Sequence, residues 1–284
     1  MFDNLERSLT VAGTIDEALA ERRQGAAILA GGTWLMRDMR KGLNLPQALV
    51  SLHAVPGFTS IDVEANQITI GAAVTHEALG RALSSVTGLE AVAAAATGAA
   101  NPAIRRAATI GGNLCSSDFA AADLAPAFLA VDALVELQTD GAQVRIPVAS
   151  FLANRRQLLG DSIITKIILP RDNLASAHAR LPLRRAGDYP VAIVSVALSA
   201  QRRIRIGVGS VEDVARRWTR LEEAFAGETD GKPANADMAE FLATQCDDFK
   251  GRDGIEADGW YRQQVLPTLI RRSMEVLLQK DAAR

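Results

Sequence analysis

The sequence predicts an α+β fold, with a small parallel α/β unit at the start of the chain and antiparallel strands with helices at its end. Three observations predict this fold: a strand–helix–strand pattern over residues 9–29, hairpins of short apolar strands in the middle, and two neighbouring apolar strands followed by helices after residue 190. The 284 residues, of which 48% are hydrophobic and 23% charged, have the length of two or three globular domains and an ordinary composition.

The first unit is the clearest local signal. An apolar strand at residues 9–12 is followed by Thr14, which caps a helix, and Glu17 three residues later completes a capping box. The helix is expected to end at Gly25, and residues 26–29 form a second strand. This order implies parallel strands, and it places the next loop at the carboxyl end of a strand, where open α/β sheets bind ligands.

The remaining elements follow from apolar stretches and their stop signals. Strands are predicted at residues 48–52, 61–63, 68–70, 133–139, 144–146 and 163–169, whereas the basic, polar residues 36–45 predict no element. Helices are predicted at 75–79, at 89–100 up to the stop signal Asn101-Pro102, and at 123–131. Residues 172–179 are expected to connect two domains, before antiparallel strands at 191–198 and 202–208, a loop at 228–235, and helices at 236–244 and 260–278.

Two glycine pairs are the strongest candidates for a binding site. Gly111-Gly112 lies among short polar side chains, and Gly31-Gly32 lies in the loop after the second strand. Glycine lets the backbone turn tightly and approach a ligand, and successive N–H groups can form a nest that attracts phosphate. Two neutral loops of this kind suit a ligand with two linked phosphates, such as a dinucleotide; the alternative is two ordinary tight turns.

Composition and motifs exclude several classes of function. The net charge of −2 and scattered arginines argue against nucleic-acid binding, and the apolar stretches are too short to span a membrane. Two cysteines cannot hold an iron–sulfur cluster, and the three histidines have no zinc-site spacing. The chain also lacks a nucleophile elbow, a Rossmann fingerprint, a P-loop and a recognisable signal peptide. The sequence shows no metal site or nucleophile motif, so if this chain does chemistry, we expect it to borrow a cofactor.

Four segments, in matching order and spacing, carry a resemblance to a known family. They are ILAGGTWLM at residues 28–36, ITIGAAVTHEAL at 68–79, IRRAATIGGNLCSSDFAAADLAPAFLAVDALVEL at 104–137, and the carboxyl-terminal pair RRAGDYPVAIVSVAL and YRQQVLPTLIRRSMEVL. The chain resembles the FAD-binding medium subunit of molybdenum hydroxylases, the group that contains carbon monoxide dehydrogenase and xanthine dehydrogenase. The third segment is the most distinctive, and together the four cover nearly the whole chain.

The resemblance implies a domain organisation. Residues 1–172 would form an FAD-binding domain of the vanillyl-alcohol-oxidase type, made of two α/β subdomains at about 1–56 and 57–172. Residues 173–284 would form a smaller domain with a three-stranded antiparallel sheet and helices.

The resemblance also implies which residues hold FAD. Residues 30–35 would wrap the pyrophosphate, mainly through backbone N–H groups, and the second glycine pair with Thr109 and Asn113 would hold the other side of the diphosphate and the ribityl region. Asp123 would contact ribose or adenine-side hydroxyls, and Ile164 would pack on the flavin or adenine rings. The full set of expected contacts is Leu29, Ala30, Gly31, Gly32, Thr33, Trp34, Leu35, Thr109, Gly111, Gly112, Asn113, Asp123 and Ile164.

The chain departs from the family pattern at three places. Trp34 stands where an acid is common, and one extra residue lies between Asn113 and Asp123. The strand near Pro182 lacks a lysine often found near the flavin, for which Arg184, or its neighbour Arg185, is the expected substitute.

In function, the resemblance implies a cytoplasmic, FAD-carrying electron-transfer subunit. A large molybdopterin-binding subunit would hydroxylate the substrate, a small subunit with 2Fe–2S clusters would pass electrons to non-covalent FAD, and NAD, a quinone or oxygen would accept them. The complex would be a heterotrimer or a dimer of heterotrimers. Two alternatives stay open: a stand-alone flavin oxidoreductase, with His76 as the candidate proton-transfer residue, and a non-enzymatic assembly subunit that has lost FAD.

Three further side chains have two readings each. Cys115 is interpreted as a small buried thiol rather than a redox-active one. Met36 and Met39 either line the flavin edge or a partner interface, or pack in the core.

Overall fold

The computed structural model describes residues 7–40, 42–43, 45–183, 189–228 and 235–283, and its strands form three sheets. The first sheet consists of β1 (Ser8–Val11), β2 (Ala27–Leu29) and β3 (Ala48–Ser51) in the order β1-β3-β2, all parallel. Helix α1 (Ile15–Arg23) connects β1 to β2, and α2 (Thr33–Arg40) follows β2. The predicted strand–helix–strand unit is confirmed, including both bonds of the capping box between Thr14 and Glu17.

The second sheet has five antiparallel strands in the order β4-β5-β8-β6-β7. They are β4 (Ile61–Val63), β5 (Gln67–Gly71), β6 (Leu134–Thr139), β7 (Ala142–Pro147) and β8 (Ile163–Pro170). Six helices belong to this part of the chain: α3 (His76–Ala82), α4 (Glu90–Gly98), α5 (Pro102–Ala107), α6 (Ile110–Cys115), α7 (Leu124–Ala130) and α8 (Val148–Leu158).

The third sheet is antiparallel in the order β12-β11-β10-β9. It contains β9 (Asn173–Pro182), β10 (Pro190–Ser199), β11 (Ile204–Gly209) and the two-residue β12 (Arg216–Arg217), so one short strand adds to the expected three. Helices α9 (Thr219–Glu228), α10 (Ala236–Thr244), α11 (Gly259–Gln264) and α12 (Leu266–Ala282) follow. The long helix α12 packs on β9 and β10, and α7 and α4 also contact β10, so every residue of this strand is buried.

Helix α7 joins the two hydrophobic cores. One core runs through the first two sheets and the other lies between the third sheet and its helices. All seven residues of α7 are buried, and the helix contacts β10 and β11. The contact with β11 requires glycine, because a Cβ on Gly207 would lie 2.1 Å from the carbonyl oxygen of Pro126.

Several predicted elements are wrong in detail. Residues 172–179 are not a connection but most of β9, because small side chains there let α4 approach: the Ser176 hydroxyl accepts a hydrogen bond from the Ala91 N–H at 2.8 Å. Residues 36–40 continue α2. Asn101 stops α4 as predicted but also caps α5, and the predicted last helix is divided into α11 and α12 at Val265, just before Pro267. Most of the predicted loop at 228–235 lies outside the described residues.

Within the part of the chain that the structure describes, none of the helices combines the length and apolar character that a membrane crossing requires.

Candidate functional site

The fold brings the two glycine pairs into contact. A Cβ on Gly31 would lie 1.9 Å from the carbonyl oxygen of Ala107, and a Cβ on Gly112 would lie 3.1 Å from the Cβ of Ala30. The first distance is well below any real Cβ contact, so only glycine permits the two segments to approach so closely. Two segments that are about 80 residues apart in the sequence therefore form one surface, as a shared ligand requires.

The first glycine pair presents unused backbone donors. It lies between the end of β2 and the start of α2, and Gly32 has the left-handed φ of +68° that glycine adopts without strain. Among the described residues, no acceptor bonds the N–H groups of Gly31, Gly32 and Thr33. The first-turn N–H groups of Trp34 and Leu35 have no partner within α2, because a helix leaves its first four N–H groups unbonded. Such a cluster of donors at a helix start attracts anions.

The second glycine pair has a different local structure from the loop that the sequence predicts. It is not an open loop but the first turn of α6, with the Thr109 hydroxyl as its cap. The Gly111 N–H donates to the carbonyl of Ala72 at 2.9 Å, and the Gly112 N–H donates to Thr109 Oγ1 at 3.1 Å. The predicted phosphate nest is therefore wrong at this pair, because both N–H groups are already bonded. The glycines serve close packing instead: a Cβ on Gly111 would lie 2.8 Å from the Ala72 oxygen.

Asn113 supplies the polar group that the second segment leaves unused. Its Oδ1 atom is buried and has no hydrogen-bond partner among the described residues. A buried acceptor without a partner costs free energy, so it marks a place where a donor from a ligand fits.

Residues 74–76 hold the second segment in place. The Ile110 N–H donates to the carbonyl of Val74 at 3.0 Å, and the Ala108 carbonyl accepts from the His76 N–H at 3.0 Å and lies 2.8 Å from His76 Nδ1. Burial is the largest influence on the His76 imidazole and lowers its pKa, so the ring is neutral near pH 7. The structure therefore supports a structural role for His76 and not a place on the helix surface.

Asp123 lies at the start of α7 and is buried. Its Oδ1 is 2.9 Å from Arg180 Nε and 3.6 Å from His178 Nε2, whereas the side chain makes no capping bond to α7. Its charge raises the pKa of His76, the first residue of α3, against the larger effect of burial.

Ile164 reaches the same region through the sheet. It lies in β8, is 3% exposed and packs in the first core. The next residue, Thr165, accepts a hydrogen bond from the Ala72 N–H at 2.9 Å, and Ala72 in turn accepts from Gly111. Arg184, the last predicted site residue, lies outside the described residues.

A cavity of about 390 Å³ begins at Trp34, two residues after the first glycine pair, and is lined by three aromatic and six charged side chains. Trp34 and Phe119 have ring centroids 4.6 Å apart, Phe119 and Tyr189 are 5.5 Å apart, and the Arg37 guanidinium lies 4.1 Å from the Trp34 ring centroid. Planar rings and a cation–π contact suit a flat aromatic ligand. The sequence prediction included only Trp34, because Phe119 and Tyr189 are far from it along the chain.

Exposure and burial decide between the alternatives for the remaining candidate side chains. Met36 and Met39 are 48% and 43% exposed, so the core-packing alternative for them is wrong. Cys115 is half-buried, and burial of its thiol raises the pKa to about 12, which keeps the thiol protonated and supports the interpretation as an unreactive thiol. Within the described ranges, no group of three or more His, Cys, Asp or Glu side chains is placed to hold a metal.

Comparison with known proteins identifies the family. A family model described as the FAD binding domain in molybdopterin dehydrogenase matches residues 5–172. The chain belongs to this family. The resemblance seen in the sequence is thereby confirmed, as are FAD as the cofactor type and the expectation of an oxidoreductase subunit.

Curated relatives extend the similarity over the whole chain. The chain is 29% identical over 281 residues to subunit alpha of the 6-hydroxypseudooxynicotine dehydrogenase complex of Paenarthrobacter nicotinovorans, covering 95% of this chain and 94% of that one. It is 27% identical over 269 residues to the carbon monoxide dehydrogenase medium chain of Afipia carboxidovorans, covering 90% of each.

Solved structures show the same fold. The quinoline 2-oxidoreductase of Pseudomonas putida 86 has a TM-score of 0.84 at 22% identity, covering 98% of this chain and 97% of that chain. The expected fold class, a two-part FAD-binding domain followed by an antiparallel sheet with helices, is confirmed.

The described residues fit FAD on physical grounds. FAD offers two linked phosphates, several hydroxyl donors and two planar ring systems. The site offers free N–H donors on the first glycine pair, the unbonded acceptor of Asn113, the carboxylate of Asp123 and a cavity lined by aromatic and charged side chains.

Proposed function

We propose that this chain is the FAD-carrying electron-transfer subunit of a molybdenum hydroxylase complex. The observation that carries the proposal is the contact between two glycine-paired segments, of which the first presents free N–H donors and the second an unbonded carboxamide oxygen. The donors suit the diphosphate, and the acceptor suits a hydroxyl or ring N–H of the same ligand.

The chain's residues would bind and orient the cofactor rather than react themselves. Backbone N–H groups of residues 31–35 would hold the diphosphate, and Thr109 with Asn113 would lie along its other side. Asp123 would accept a hydrogen bond from a cofactor hydroxyl, and Ile164 would contribute apolar packing. When bound, FAD supplies the ability to accept and release electrons; the protein supplies position, exclusion of water and local charge.

The partners follow from the relatives. One relative is a subunit of a named dehydrogenase complex and another is the medium chain of carbon monoxide dehydrogenase. We propose a large molybdopterin-binding subunit and a small 2Fe–2S subunit as partners, in a heterotrimer or a dimer of heterotrimers, with NAD, a quinone or oxygen as the final acceptor. Both cysteines are unpaired, which supports a reducing cytoplasm as the location.

The structure favours this role over a stand-alone flavin enzyme. Such an enzyme needs a proton-transfer residue or a substrate clamp at the flavin, and its candidate, His76, is 2% exposed and bonded to a backbone carbonyl. An assembly subunit without FAD is the outcome that a colourless protein would indicate.

The test is anaerobic reduction of the flavin in the assembled complex. We expect the substrate of the large subunit to bleach the flavin absorbance when all three chains are present, and to leave it unchanged when the small 2Fe–2S chain is omitted. Separate addition of NAD, a quinone and oxygen to the reduced complex identifies the acceptor by the return of the flavin bands. Direct bleaching of the isolated chain by the substrate would contradict the proposal and support the stand-alone enzyme.

A further inference from the structure

A buried ionic cluster joins the start of α7 to the third sheet. Asp123 and its partners Arg180 and His178 have side chains that are 5%, 14% and 3% exposed. The Arg180 Nε lies 2.9 Å from Asp123 Oδ1, and His178 Nε2 lies 3.6 Å from the same oxygen. The cluster thus connects residue 123 of the FAD-binding region with β9, beyond the end of the matched FAD-binding model at residue 172.

Strand geometry explains why two residues of β9 meet one carboxylate. Arg180 and His178 are two residues apart, so they lie on the same face of the strand. Each is itself held from a second element: Arg180 donates to the carbonyl of Gly98 at 3.2 Å, and His178 Nδ1 lies 2.8 Å from the hydroxyl oxygen of Ser195 on β10. The two partners of Asp123 are therefore fixed before any ligand binds.

The carboxylate keeps capacity for a ligand. Although two basic groups surround it, Asp123 Oδ1 accepts no well-aligned hydrogen bond from the described residues. The two basic groups orient the carboxylate, and the absence of an aligned bond leaves room for a hydroxyl donor. A group that is oriented in advance binds more tightly, because less conformational freedom is lost on binding.

We propose that Arg180 and His178 are positioning residues for FAD, which act by orienting Asp123, so that the carboxyl-terminal sheet completes the cofactor site. This inference rests on the proposed function.

The chain contains a matched control at the other end of α7. Arg205, on β11, has a side chain that is also 14% exposed, and its Nη1 lies 3.0 Å from Asp132 Oδ2, directly after the helix. Each arginine therefore joins the third sheet to one end of α7 by an ion pair. Only the Arg180 pair includes a predicted cofactor contact, so the two pairs separate a cofactor effect from simple attachment of the sheet.

The experiment measures FAD dissociation constants of full-length apo-protein by quenching of flavin fluorescence. We expect Arg180→Gln to weaken FAD binding about ten-fold and His178→Asn about three-fold, with partial recovery in Arg180→Lys, which keeps the charge. Arg205→Gln is expected to keep FAD affinity within about two-fold of the wild type, although it too removes an ion pair between the third sheet and α7 and lowers the thermal midpoint. In the Asp123→Asn background, Arg180→Gln is expected to add little further loss, because both changes remove the same contact.

Equal loss of FAD affinity in Arg180→Gln and Arg205→Gln would overturn the inference, because attachment of the sheet would then explain both. An undiminished Arg180→Gln effect in the Asp123→Asn background would overturn it as well. If Arg180→Gln does not fold, the FAD affinities of His178→Asn and Arg180→Lys are compared with that of Arg205→Gln instead. Wild-type affinity in both variants would then overturn the inference. Failure of the wild-type chain to bind FAD at all would instead contradict the proposed function.

Discussion

Replacing Gly31 by alanine tests the contact between the two glycine pairs directly. The added Cβ would lie 1.9 Å from the Ala107 carbonyl oxygen, 2.7 Å from its carbon and 3.0 Å from the Ala108 Cα. Ordinary contact begins at 3.4 Å, so the segments must separate by about 1.5 Å. Because backbone atoms on the opposite side cannot rotate away, the separation falls on the site itself.

The magnitude follows from the cost of overpacking. Forced insertion of a methyl group into a packed contact costs about 1–3 kcal/mol, and we expect about 2 kcal/mol here because the obstacle is backbone. If FAD requires the closed contact, the same free energy appears as weaker binding, and about 1.4 kcal/mol corresponds to a ten-fold change in the dissociation constant. We therefore expect Gly31→Ala to weaken FAD binding at least ten-fold.

The assay is a fluorescence titration of apo-protein with FAD, together with urea unfolding of the same apo-protein. Gly13→Ala is the matched control, because its Cβ meets only a carboxylate oxygen of Glu17 at 3.5 Å and lies in the same α/β unit. We expect this control to change neither property by more than about 0.5 kcal/mol. Gly31→Ala protein with wild-type FAD affinity would refute the reasoning that the joined segments form the cofactor site.

Three further predictions follow from single side chains. Asn113→Ala is expected to leave apo-protein stability unchanged or higher in urea unfolding, because it removes a buried acceptor without a partner, while FAD affinity falls about ten-fold; a fall in stability with unchanged affinity would contradict the assignment. Cys115, with a pKa of about 12, has about one thiolate in ten thousand molecules at pH 8, so mass spectrometry after iodoacetamide treatment of folded protein should find it unmodified, and rapid modification would contradict the burial argument. Burial lowers the pKa of His76 in the folded state, so the unfolded state takes up this proton first as the pH falls below about 6.5. Wild-type stability should therefore fall between pH 7.5 and 5.5, and it should fall less steeply in His76→Asn; parallel slopes would show that another group titrates.

Local signals in the sequence predicted most of the fold. The capping box at Thr14 and the turn residues between β6 and β7 decide their elements within a few residues, so their positions were predicted well. The prediction was wrong at β9, where small and polar residues suggested a connection. Those residues form a strand because α4 packs against them, and no neighbour in the sequence carries that information.

The candidate site could be predicted only in part, because its geometry depends on contacts between residues that are far apart in the sequence. Both glycine pairs were identified, yet their different roles depend on the Ala72 carbonyl and the Thr109 hydroxyl, which bond the second pair and leave the first pair free. Tyr189, between β9 and β10, and Arg180, for which we propose a positioning role, were missed because both belong to the third sheet region of the chain. Only tertiary packing places such side chains beside residues that are far away in the sequence.

The central claim, that this chain holds FAD non-covalently between two joined glycine segments, is tested most directly by an absorbance spectrum of the purified chain followed by heat release of its chromophore. We expect flavin bands in the native protein and FAD in the supernatant after denaturation, at about one FAD per chain, with both strongly reduced in Gly31→Ala. A colourless wild-type chain that cannot be reconstituted with FAD would contradict the claim and would indicate an assembly role.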